Sequence, residues 1–395
     1  MEQFEGASRQ GVLHAESRTT LAELALLFGR LGITAFGGPA VHIAMMEDEV
    51  VRRRRWLSEE RFLDLVGATN LIPGPNSTEM AIHIGWDRRR WAGLVVAGFA
   101  FIVPATVITA VFGWAYVRFG STPTATWLLY GVKPVILAII VQAVARLVPK
   151  AARTRALWVL GALATLAVAL GVNELLVLVG TGAAAVAVTR RSRGSSILAG
   201  TKLLGVAPAI SVSAAAASSL TLPGLFWVFL KIGSVLFGSG YVLLAFLRAD
   251  LVERLGWLTE TQLVDAVAIG QITPGPVFTT ATFIGYLLAG PSGALMATGG
   301  IFLPAFVFVA LSGPLVPRLR ASAVAGSFLD GVNVASLALM LVVTVELARV
   351  AFVDWPTIAL GVMSATILFG FRVNATWLVL GGALAGRLIA AFRGA

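Results

Sequence analysis

The sequence predicts an all-α polytopic membrane protein made of two homologous repeats of inverted topology, with broken, re-entrant helices at the membrane midplane. Three observations predict it. The 395 residues are 57% hydrophobic and only 13% charged, where a soluble domain carries about 25% charged residues. About a dozen apolar stretches lie between short charged loops, each near the ~20 residues that cross a bilayer. The second half also repeats the first. Residues 28–75 laid over 229–276 give 16 identities in 48 positions, with motif order preserved. A β-barrel would show short alternating segments instead.

The apolar segments run approximately 21–46, 61–86, 92–117, 127–149, 156–172 and 175–189, then 223–247, 261–288, 294–312, 322–347, 357–371 and 375–392. The organisation that follows is a polar N-terminal segment 1–20, a first repeat 21–190, a basic, small-residue linker 191–222 and a second repeat 223–393. Within the linker, 203–222 is apolar enough to be an extra span. Residues 1–20 hold Arg9 and Arg18 and lack the apolar core of a signal peptide.

The matched positions carry the organisation further. They include Gly32/Gly233, Phe36/Phe237, Gly37/Gly238, Trp56/Trp257, Asp64/Asp265 and all of Pro73-Gly74-Pro75 against Pro274-Gly275-Pro276. After a one-residue gap the match resumes at Gly85/Gly285, Pro104/Pro304 and Gly131/Gly331. Arg52–Arg55 and Arg88–Arg90 flank segment 61–86, whose centre is Pro73-Gly74-Pro75. A single crossing would leave one arginine cluster outside, against the positive-inside rule. Proline removes an amide donor and clashes with the preceding turn, so the segment reads as a hairpin that enters and leaves on the cytoplasmic side. The second half has uncharged Ala289–Ser292 where the first has Arg88–Arg90. That loss predicts a second repeat lying upside down, a transporter architecture.

The net charge of +10 belongs with cytoplasmic Arg/Lys loops rather than with nucleic acid. The chain has no cysteine, which excludes disulfides and thiolate metal sites. His14, His42 and His83 have no metal-ligand spacing. No cofactor is implied. There is no Gly-x4-Gly-Lys-Ser/Thr loop, which argues against a self-contained ATP-driven pump.

Broken backbone at membrane depth is tolerated only inside protein or beside a wet cavity. A helix restarting after a break presents free amides and a positive dipole end, which suits an anion. Asn76, Ser77 and Thr78 follow the first Pro-Gly-Pro; Thr279 and Thr280 follow the second. One such break would be read as a packing kink, but a pair at equivalent repeat positions is read as one shared site. Arg30 and Lys231 also occupy equivalent positions, six residues before the Phe of each Phe-Gly motif. An intramembrane cation costs about 2.5–3.5 kcal/mol even on the gentle insertion scale, so they are assigned to attract or hold the anion, with snorkelling to an interface as the bland alternative. His42 follows Gly37-Gly38-Pro39 and would line the same cavity or simply pack. Glu79 and His83 are spaced i, i+4 and share a helix face that would suit proton coupling. Asp64 and Asp265 are read as caps or partners of loop arginines. Gly238-Ser239-Gly240 is not read as a hydrolase turn, because the second half has no histidine to act as base. The chain is therefore a transporter and not an enzyme. A passive channel is the remaining class.

These motifs resemble the chromate ion transporter family, in its long two-domain members. The resemblance rests on Phe36-Gly37-Gly38-Pro39 with His42, on Arg55-Trp56-Leu57, on Pro73-Gly74-Pro75-Asn76-Ser77-Thr78 through Ile84-Gly85-Trp86, on Phe237-Gly238-Ser239-Gly240-Tyr241, and on Pro274-Gly275-Pro276 through Gly285-Tyr286. It covers about 21–390. Ser239 stands where the pattern suggests glycine, and Glu79 where a neutral amide is common. The resemblance implies a multi-pass protein of the bacterial inner membrane that exports chromate and confers chromate resistance, with sulfate as competitor or alternative substrate. The implied partners are the oxyanion and the lipid bilayer, with a homodimer as a further option and no nucleic acid.

Overall fold

Each repeat opens with a helix too short to cross a bilayer. The computed structural model describes residues 19–36, 38–192, 219–237, 242–371 and 373–393. In the first repeat, α1 (Leu21–Thr34) starts at a capping box in which the Glu23 amide donates to Thr20 Oγ1 at 3.1 Å and the Thr20 amide donates to Glu23 at 2.7 Å. Its 14 residues reach ~21 Å, against ~30 Å of hydrocarbon. The backbone turns extended at Ala35, and α2 (Pro39–Glu47) restarts with proline at its first turn, where no amide is needed. A π-helical turn (Asp48–Arg53) follows. Next, α3 (Glu59–Thr69), capped by Ser58, runs into the Pro73–Pro75 break, and α4 (Asn76–Phe119) restarts beyond it.

Helix α4 is itself a hairpin. It reverses at Arg89 (φ −143°) and Arg90 (φ 50°). The legs touch at Gly85 and Gly93, where a Cβ on either residue would strike the other's carbonyl oxygen. Only glycine lets two helix backbones approach so closely.

Four ends of these elements gather at one rim. Arg88 donates to Thr19 Oγ1 at 2.8 Å and to the Trp56 carbonyl at 3.0 Å. Arg61 binds both oxygens of Asp87, at 2.7 and 2.9 Å. Thr19 precedes α1, Trp56 follows the π turn, Arg61 lies in the first turn of α3, and Arg88 closes the first leg of α4. The turn between Ala35 and Pro39 and the break at 73–75 are thus the tips of two re-entrant hairpins.

The second repeat copies this plan. Its elements are α8 (Leu222–Val235), α9 (Leu243–Leu247) with a π turn (Arg248–Arg254), α10 (Glu260–Ile272), a 3-10 turn (Val277–Thr279) and α11 (Thr280–Ala321). Helix α11 reverses at Ala289 and Gly290, with Gly285 against Gly293. Each repeat ends in three further helices: α5 (Pro123–Ala151), α6 (Arg155–Ala169) and α7 (Glu174–Ser192), then α12 (Ala323–Ala351), α13 (Trp355–Gly370) and α14 (Ala375–Arg393). These cross over between repeats: α5 packs on α13 and α14, and α12 on α6 and α7.

Among the described residues, five helices are long and apolar enough to cross a membrane. On α4 the side chains of Val95, Phe99, Val103, Val107, Val111 and Trp114 recur every three or four residues and are all exposed. An apolar stripe facing outward has no place in water and suits lipid. The extra span expected at 203–222 falls largely outside the described residues.

Candidate functional site

Two backbone bonds tie the hairpin tips across the repeats. Gly74, at φ 137°, donates its amide to the Leu236 carbonyl at 2.8 Å, and Gly275, at φ 84°, donates to the Ala35 carbonyl at 2.9 Å. Each Pro-Gly-Pro tip is therefore tied to the end of the first helix of the other repeat. Positive φ is strained for any residue with a Cβ, which explains glycine at the centre of both motifs.

The first α4 turn supplies the polar groups. Thr78 and Glu79 donate their amides to the Pro75 carbonyl at 2.8 and 3.0 Å. Ser77, Thr78 and Glu79 are buried, and among the described residues Thr78 Oγ1 and both Glu79 carboxylate oxygens have no hydrogen-bond partner. The Glu79 carboxylate lies against Gly74. Asn76 donates to Asn70 Oδ1 at 2.8 Å. On the other side the hydroxyls of Thr279 and Thr280 turn back onto the Pro276 and Val277 carbonyls, at 2.9 and 2.8 Å. His42 is buried with its Nε2 3.0 Å from the Ala35 carbonyl. A carbonyl only accepts, so Nε2 carries the hydrogen. Nδ1 has no partner. His83 is buried one turn beyond Glu79, with Nε2 unpartnered.

A family model described as chromate transporter matches the chain twice, over residues 22–187 and again over 223–387. The chain belongs to the chromate transporter family. It is 31% identical over 381 residues to a chromate transport protein of Cupriavidus metallidurans, covering 95% of each chain. It is 30% identical over 378 residues to a chromate transport protein of Pseudomonas aeruginosa, covering 92% of this chain and 91% of that one. A probable chromate transport protein of Synechococcus elongatus is 28% identical over 364 residues, 89% of this chain and 91% of the relative. No solved structure matches the chain. Membership in this family, together with the apolar helices, makes the chain a multi-pass membrane transporter and not an enzyme.

The family's doubled plan extends to the charges. Arg30 pairs with Glu49, and Lys231 Nζ lies 2.7 Å from Asp250. Both acids sit on the π turns and are almost fully buried. Arg53 and Arg254, also repeat-equivalent, add contacts at 3.4 and 2.8 Å to the same two acids. Arg54 approaches Glu49 at 3.3 Å, and Glu174 approaches Lys231 at 3.6 Å. Each of the two predicted cations is thus paired with an acid. Sequence reading missed Glu49 and Asp250, although each stands nineteen positions after its cation in both repeats. It also missed Lys133 and Tyr116. Tyr116 donates to Asp265 Oδ2 at 2.8 Å, and Lys133 Nζ is a charge contact of Oδ1 at 3.3 Å without hydrogen-bond alignment. The predicted site residues Gly37, Gly238, Ser239 and Gly240 lie outside the described residues.

Proposed function

We propose that this transporter exports chromate across the bacterial inner membrane and confers chromate resistance, with one anion held where the four tips meet. The observation that carries the reading is the reciprocal pair of bonds Gly74 to Leu236 and Gly275 to Ala35. They tie each Pro-Gly-Pro break to the end of the first helix of the other repeat, which supports one centre shared by both repeats. Two helix starts aimed at one volume offer amides and positive dipole ends to a small anion. Asn76, Ser77 and Thr78, with Pro73–Pro75 and Pro274–Pro276, Thr279 and Thr280, form the cradle in this reading. His42 and the glycines of both Phe-Gly motifs complete it. Glu79 and His83 stand beside it as the groups suited to a proton. Arg30 and Lys231 act as outlying attractors, each tethered by its acid.

An inverted arrangement of the repeats completes the proposal. Gly113, in the second leg of α4, packs on Tyr286, close to the reversal of α11. That leg starts at the first rim and covers ~33 Å between residues 91 and 113, which supports rims on opposite faces. Alternating access around one central site follows from such a plan. Each net negative charge that leaves a negative interior gains ~2.3 kcal/mol per 100 mV, so export of an anion that keeps net negative charge needs no ATP.

Sulfate is the second reading, since it shares the tetrahedral shape and double charge of chromate. Uptake into inside-out vesicles tests both. Saturable chromate uptake that excess sulfate barely reduces supports the proposal; sulfate uptake without chromate uptake moves the protein to the second reading. No saturable flux of either removes the function.

A further inference from the structure

Glu79 is unlike every other acid near the tips. It is fully buried on the first turns of α4, its carboxylate rests against Gly74, and neither oxygen has a hydrogen-bond or ion-pair partner among the described residues. The acids and bases on the elements packed against α4 are engaged elsewhere or stand at the surface. On α1, Glu23 caps its own helix and Arg30 binds Glu49; on α2, His42 bonds to Ala35 and Glu47 binds Arg52. On α3, Arg61 binds Asp87, while Glu59, Glu60 and Asp64 are exposed. On α10, Glu260 binds Arg248 and Asp265 meets Tyr116 and Lys133. The first leg of α11 carries only Tyr286, and the 3-10 turn carries no titratable group. On α4 itself, His83 stands one turn on and shares no bond with Glu79.

A bare carboxylate held with no donor and no cation bears its whole desolvation penalty. It would also repel a dianion at the same tip. A protonated carboxyl avoids both costs and keeps one O–H to give to an oxyanion. We propose that Glu79 is an anion ligand in its protonated form, so that each anion crosses together with one proton. The inference rests on the reading that the tips hold an oxyanion. The proton comes from water on the loading side and leaves to water on the release side. The second repeat offers Thr280 in this place, its hydroxyl already bonded to Val277, so one site carries one proton per cycle.

Flux of chromate and of sulfate into proteoliposomes, over a pH series, tests this. Sulfate stays a dianion throughout, which separates protonation of the carrier from protonation of the cargo. In the wild type, flux should fall by up to about tenfold per pH unit above the midpoint, the limit for one proton. Reversal potentials should give one net negative charge per anion. Glu79→Gln keeps a neutral donor, so its flux should be flat with pH and carry two charges per anion. Two charges per anion in the wild type, an unchanged pH profile in Glu79→Gln, or a folded Glu79→Gln that moves nothing at any pH would each overturn the proposal. If Glu79→Gln does not fold, the wild-type charge count decides. A wild type that moves neither anion overturns the transport reading, and this inference with it.

Discussion

Gly74 and Leu236 join the two repeats through one hydrogen bond of 2.8 Å, and Gly275 returns the same bond to Ala35 at 2.9 Å. The two bonds connect residues at equivalent repeat positions. Neither repeat can place its Pro-Gly-Pro tip without the other, so the folded centre is a joint product.

Alanine at Gly275 should damage both fold and transport. The position has φ 84°, and a Cβ there would be driven into Ala105. Strain of this kind costs about 1–3 kcal/mol before any clash. Gly256 makes the control: its φ is 63°, but nothing lies near an added Cβ. Gly275→Ala should lower the thermal midpoint more than Gly256→Ala, and only the former should abolish vesicle uptake. Equal shifts for the two would mean that the close contact does not matter.

The Lys133–Asp265 contact should behave as a buried pair. Asp265 is almost wholly buried, and Tyr116 completes its surroundings. Removing one partner strands the other, at about 3–5 kcal/mol, while replacing both with apolar residues is often neutral. Lys133→Met should therefore destabilise more than Lys133→Met with Asp265→Leu, as read from thermal unfolding in detergent. Tyr116→Phe should cost about 1–3 kcal/mol for the lost donor. A double variant worse than the single would show that the charges themselves hold α5 to α10.

At the start of α13, Asp354 should make the packing of α14 acid-sensitive. Burial opposes its ionisation, but hydrogen bonds from Tyr130, Arg393 and Thr357 hold its carboxyl down at about 2. An unfolded aspartate titrates near ~3.9. The folded value is the lower one, so the stabilisation is complete above about pH 4 and is lost as pH falls through about 2. Hydrogen exchange of 375–393 should rise across that window in the wild type. In Asp354→Asn it should be faster from the outset and flat over the same range.

Much of this was legible because the chain says it twice. Pro73–Pro75 and Pro274–Pro276 marked the breaks by chemistry that no continuous helix tolerates, and Arg52–Arg55 with Arg88–Arg90 marked the hairpin that the Arg88–Trp56 and Arg61–Asp87 bonds close. Arg30 and Lys231 were found as isolated cations, but their partners were not, because Glu49 sits in a charged run that reads as a surface loop. Only the π turn folds that carboxylate inward. The Lys133–Asp265 contact joins positions 132 residues apart in sequence, and no helical period reaches across such a separation. The cross-repeat tip bonds are backbone bonds and leave no side-chain signature.

The Arg30–Glu49 pair allows structure and transport to be separated. Glu49 is almost fully buried and also meets Arg53 and Arg54, so it stays compensated when Arg30 is lost. Arg30→Ala should then fold with a thermal midpoint close to the wild type. Glu49→Ala should fare worse, since it leaves Arg30, Arg53 and Arg54 together without their shared acid. In Arg30→Ala, a purely structural pair would leave flux close to that of the wild type. If Arg30 draws the anion in, this folded variant takes up chromate at about a tenth of wild type or less, the size of a ~1.4 kcal/mol electrostatic loss. We expect the second result, with the deficit growing as salt is lowered. Unlike charge–anion attraction, a packing defect would not follow ionic strength.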